Sequence, residues 1–121
     1  MALARDVPAV ILYRHRLFRE VMTAVLEQAP SLRVVGATAH SGAALRLLQE
    51  HDPQVIVIEA ESELGTDEAV SSLLVRMSRI RAKVLILRAS LSRAEAGIYR
   101  WERVGDAEQS TVLCALQTCS T

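Results

Sequence analysis

Lysine is almost missing from this chain: Lys83 is the only one in 121 residues. Aromatic residues are nearly as scarce, at 3% of a chain that is half hydrophobic, so any core has to be aliphatic. Neither sign of charge prevails, with 14 Lys+Arg against 14 Asp+Glu, and this balance gives no general attraction to nucleic acid or to an anionic membrane. No apolar run approaches the roughly 20 residues that span a bilayer, and the opening MALARDVPAV does not have the layout of a signal peptide. A cytoplasmic, single-domain protein over 1–121 is expected, with enough chain to bury a sizeable core.

The chemistry-bearing residues are thinly spread. Cys114 and Cys119 are five apart on an expected helix, hence on different faces, and suit neither a shared metal nor a disulfide. Buried thiols acting as small hydrophobes fit them better. His15, His40 and His51 have no metal-ligand spacing, and no phosphate loop, dinucleotide fingerprint or nucleophile elbow is present. No catalytic residue, cofactor or metal is assigned, and the chain does not read as an enzyme.

What is there is a regular alternation. Strands are expected at 9–13 (AVILY), 32–38 (LRVVGAT), 55–59 (VIVIE), 83–89 (KVLILRA) and, weakly, 101–104 (WERV). Helices are expected at 16–29, where Leu17, Phe18, Val21, Val25 and Leu26 recur at helical spacing, and at 41–51, opening on the capping-type Ser41. A third follows Val70, Leu73, Leu74, Met77 and Ile80, a short fourth opens on a Ser92–Glu95 capping box, and a last begins at Asp106 with Gln109. Five β–α units joined by short loops imply a doubly wound α/β fold, a five-stranded parallel sheet with helices on both faces. The run Gln54–Glu63, QVIVIEAESE, then poses a chemical question. Its Val-Ile-Val-Ile stretch is a strand buried on both faces, so Glu59 stands where that strand leaves the core, at the edge where such folds place their ligands.

The stretch VILYRHRLFREVMTAVLEQAPSLRVVGATAHSGAALRLLQEHDPQVIVIEAE resembles the first half of a response-regulator receiver domain, of the kind found ahead of LuxR-type DNA-binding domains. The likeness covers nearly the whole chain, is strongest over 9–60, and is loose from 91 to 106. It implies the flavodoxin-like strand order 2-1-3-4-5 with the working pocket at the strand C-termini. Receivers hold Mg²⁺ with an acidic pair and a phosphoacceptor aspartate, and bind the phosphoryl group with a hydroxyl residue and a lysine. Here the acidic pair falls on Tyr13 and Arg14, the acceptor on Glu59, the hydroxyl position on Arg88 and the lysine position near Gly105. Lys83, at the start of a strand, cannot replace that lysine. The resemblance therefore implies a degenerate receiver, or pseudo-receiver, in which Glu59 is expected to pair with the guanidinium of Arg14 or Arg88 instead of a cation.

The expected function is a phosphorylation-independent signalling domain of a bacterial response regulator, working through protein contacts in transcription control. The alternative is a small-molecule or anion-binding regulatory domain using the same pocket. No helix-turn-helix is present, so these residues are not expected to touch nucleic acid directly. The output surface of receivers falls on GIYRWERV, which gathers Tyr99, Arg100, Trp101 and Arg103, residue types enriched at interface cores. A homodimer is expected through that face or through a neighbouring helix face carrying Val112 and Leu116, with core packing the competing role for Trp101.

Overall fold

The computed structural model describes residues 7–79 and 83–102. The order is β1 (Val7–Leu12), α1 (Arg16–Glu27), β2 (Leu32–Thr38), α2 (Ser41–His51), β3 (Val55–Glu59), α3 (Asp67–Ser78), β4 (Lys83–Ser90) and β5 (Glu95–Glu102). The five strands form one sheet in the order β2-β1-β3-β4-β5. Among the described residues no helix is long and apolar enough to cross a membrane.

The continuous hydrophobic strands are explained by two-sided burial. In β1 and β3 successive side chains alternate between two separate cores. Val10, Leu12, Ile56 and Ile58 join Leu48 of α2 and Val70 of α3 on one face. Ala9, Ile11 and Val57 join Phe18 and Leu26 of α1 on the other. Phe18 is fully buried amid aliphatic neighbours, as the scarcity of aromatics required. The parallel ladder sets the functional edge: β1 and β3 are neighbours in register, with Leu12 opposite Ile58. Whatever follows Leu12 must lie beside whatever follows Ile58.

Helix starts differ in how they are satisfied. Thr66 caps α3 by accepting from the Ala69 N–H at 3.1 Å, and Asp67 and Glu68 in the first turn complement the helix dipole. Ser41 does not cap α2; His40 holds that position, without a side-chain cap bond. The start of α1 likewise has no side-chain cap from His15 and no acidic residue in its first turn.

The fifth strand corrects two expectations. No helix opens at Ser92, and β5 begins at Glu95 and runs antiparallel to β4, with Lys83 opposite Glu102 and Ser90 opposite Glu95. The sheet is therefore mixed, not all-parallel. The cause is chain length: Leu91–Ala94 leaves too few residues for a parallel crossover, which takes about a dozen or more, and a hairpin is what four residues can make. The turn is held by the Arg93 N–H on Ser90 Oγ at 3.3 Å. It also places Ala94 at φ 53°, a left-handed conformation that costs an L-residue roughly 1 kcal/mol or more. Replacing Ala94 by Gly should leave stability unchanged or raise it by up to about 1 kcal/mol in urea unfolding, because relieved strain offsets the added chain entropy. A loss of about 1 kcal/mol, as in a helix interior, would contradict the hairpin.

Candidate functional site

Glu59 ends β3 at the C-terminal edge of the sheet and is only 4% exposed. A buried carboxylate is costly unless its oxygens are hydrogen-bonded. Here they are. The Arg14 N–H donates to Oε1 at 2.7 Å and the His15 N–H to the same oxygen at 2.9 Å. His15 Nδ1 lies 2.7 Å from Oε2. An ionised carboxylate only accepts, so the hydrogen of that bond sits on Nδ1. Because β1 and β3 are adjacent, the carboxylate sits at the mouth of α1 and supplies from another strand the negative charge that this helix start lacks.

Burial pushes the Glu59 carboxyl upward. The His15 side-chain bond, the two backbone N–H bonds and the charge of His15 outweigh it, and the net displacement is below the ordinary glutamate value. The backbone beneath is fixed as well. Ser62 Oγ donates to the Glu59 carbonyl at 2.7 Å, and a Cβ on Gly65 would collide with the main-chain oxygens of Glu59 and Ala60. Glycine is needed here for close approach of backbone to backbone.

The expected guanidinium partners are not the ones used. Arg14 reaches Glu59 through its main chain and leaves its side chain exposed. Arg88 turns away: its Nη1 donates to Asp67 Oδ1 at 2.5 Å and to the Gly65 carbonyl at 3.1 Å, with the guanidinium 5.4 Å from the centre of the Tyr99 ring. The reason is geometric. Arg88 points to the face of α3, where Asp67 opens that helix, and two amides at the α1 start already occupy Oε1. The neighbouring cleft of about 360 Å³ carries Arg88 and Arg93 against Asp67 and Glu95, so it has no net positive charge from these four. Tyr13 packs at the end of β1 against the α1-side core, with Arg19 over its ring at 5.6 Å.

His15 was missed by sequence reasoning. The signal lay in the topology: a residue just past β1 must sit beside the end of β3 when those strands are neighbours. Of the expected contact residues, Tyr99 is half-buried against the α2/α3-side core and Arg100 is exposed. The Trp101 backbone pairs with Val84. Gly105, Arg103, Val112 and Leu116 lie outside the described residues.

The receiver cation does not fit these residues. Hard divalent ions need several oxygen ligands. Only one of the three carboxylate positions keeps an acid, and both its oxygens are engaged by N–H donors. Substituting Glu59 by Gln should destabilise the fold by about 1–3 kcal/mol near neutral pH, the range for bonds to a charged group. His15 is largely solvent-facing, and its ion-pair share lies below about 1 kcal/mol. Since the folded-state pKa is depressed, the stabilisation is present above the unfolded value and is lost as the pH falls through the folded one. Urea unfolding of both proteins from pH 7 to pH 3 should show the difference closing at the acid end. A gap that widens on acidification would contradict the arrangement.

No family model matches the sequence, and no curated protein does. Among solved structures the chain is similar to the signal receiver domain of the response regulator NarL from Mycobacterium tuberculosis, at 25% identity and a TM-score of 0.56, covering 95% of this chain and 96% of that one. Strand order, helices on both faces and this likeness together show the fold of a response-regulator receiver domain, similar to that of the NarL type.

Proposed function

We propose that the domain signals without phosphorylation, presenting a fixed receiver-like surface to protein partners in a bacterial pathway that controls transcription. The observation that carries this reading is the occupancy of Glu59: the group at the acceptor position is held by three N–H donors from Arg14 and His15. A carboxylate bound in this way is a poor nucleophile, since its lone pairs are engaged and its charge is stabilised. The acidic pair that would bring a metal-bound phosphodonor is replaced by Tyr13 and Arg14. Incubation with acetyl phosphate and Mg²⁺, read by intact mass, should leave the protein unmodified. A stoichiometric phosphoryl adduct would overturn the reading.

The contact surface follows from the hairpin. β5 is an edge strand among the described residues, with Ile98 63% exposed and Arg100 exposed beside it. Such an edge favours association with another strand, and a twofold dimer is its simplest use. Sedimentation at micromolar concentration should show a dimer weakened by Trp101→Ala or Tyr99→Ala. A monomer throughout, or a dimer indifferent to both changes, would exclude this face.

A further inference from the structure

The short hairpin between β4 and β5 shapes more than the sheet edge. On the α3 side of the sheet, directly opposed residues of the two strands share a face: Ile86 with Tyr99, Arg88 with Gly97, and Ser90 with Glu95. The first pair is filled, since Ile86 is fully buried and Tyr99 packs against the α2/α3-side core. Toward the hairpin the filling stops, because Gly97 puts no side chain across from Arg88. A cleft of about 360 Å³ opens there between the start of α3 and the hairpin, with Ala60, Gly65 and Gly97 in its lining.

Four charged side chains also line the cleft: Arg88, Arg93, Asp67 and Glu95. Arg88 is committed, with Nη1 donating to Asp67 Oδ1 and to the Gly65 carbonyl. Arg93 is not: its one bond runs from the main-chain N–H to Ser90 Oγ, and its guanidinium has no ion pair among the described residues. The Glu95 carboxylate and Asp67 Oδ2 likewise accept no hydrogen bond among the described residues. The cleft thus offers one unengaged cation and two sets of unengaged carboxylate oxygens, in a lining whose four charges cancel. A simple anion drawn to Arg93 meets Glu95 and Asp67, and a simple cation drawn to those meets Arg93. Only a ligand carrying both charges is attracted at both ends.

We propose that this cleft binds a small zwitterion of the α-amino-acid class, its carboxylate forked on Arg93 and its ammonium held by Glu95 and Asp67. A planar guanidinium matches a carboxylate with two parallel hydrogen bonds, which fixes the ligand's orientation. The volume lies at the lower end of the roughly 300–1,000 Å³ of small-molecule sites. The lining is mostly polar, which suits a short hydrophilic side chain.

The binding groups are held in place before any ligand arrives. The turn that carries Arg93 is pinned by its N–H on Ser90 Oγ at 3.3 Å, and the buried Ser90 in turn donates to Glu61 Oε2 at 2.5 Å. Asp67 stands on the helix start that Thr66 caps at 3.1 Å. Such preorganisation lowers the cost of ordering on binding. The site uses none of the bonds of Glu59 and is independent of whether the domain is phosphorylated.

Binding is read on the full chain by ligand-observed NMR and by the thermal midpoint, with each polar L-amino acid in turn as the probe. At least one should bind and raise the midpoint, as mass action requires. Its N-acetyl derivative, which lacks the ammonium, and its carboxamide, which lacks the carboxylate, should each bind about tenfold or more weakly. Gly97→Val locates the site. A Cβ at that position meets only the Tyr99 side chain, no closer than 3.7 Å, so the strand is kept while the added methyl groups enter the cleft. This variant and Arg93→Gln should both retain the native circular dichroism and urea midpoint, and both should lose about tenfold or more in affinity. Inorganic phosphate or the N-acetyl derivative binding as tightly as the amino acid would make the cleft an anion site. Binding of no amino acid, or binding indifferent to both substitutions, would remove the site; each of these outcomes overturns the proposal.

Discussion

A buried carboxylate at the end of a hydrophobic strand has to be satisfied, and the way Glu59 is satisfied organises the strand-end face of this domain. Its oxygens gather the Arg14 and His15 amides and the His15 ring, tying β3 to the start of α1 across the β1–β3 ladder. The bond network has two consequences. It supplies a helix that lacks both a side-chain cap and acidic first-turn residues. It also occupies the atoms that phosphoryl or metal chemistry would require. The bonds that satisfy the helix start are thus the same ones that engage both oxygens of Glu59.

A second constraint acts at the other end of the sheet. Four residues between β4 and β5 exclude a crossover helix, so the last described strand reverses and becomes an edge. This changes what the domain can present: an open strand with an exposed Ile98 and Arg100, beside an α1 flank with unburied Leu17 and Val25. Arg88 is drawn into the same remodelled corner, bridging Asp67 and the Gly65 carbonyl under Tyr99.

Much of this was legible in the residues. VIVIE could only be a two-sided strand, and the alternation of periods through residue 59 placed β1, α1, β2, α2 and β3 close to their observed bounds. Glu59 was found as the strand-end carboxylate, because a charge directly after four branched aliphatic residues has few places to go. Its partners were misjudged because charge alone favoured guanidinium groups, whereas backbone amides carry no sequence signature. The hairpin was hidden by Ser92 and Glu95, which satisfy a capping pattern locally. The decisive quantity there was the number of residues left for a connection, not their type.

The state of the Glu59 carboxyl group is the most direct test of the account. A pH titration followed by ¹³C NMR of its side-chain carboxyl should give a midpoint below the ordinary glutamate value of about 4.3. In His15→Ala the midpoint should move upward, because burial would then face fewer opposing bonds. A midpoint at or above the ordinary value in the native protein, or one unmoved by His15→Ala, would contradict the claim that His15 and the α1 start hold Glu59.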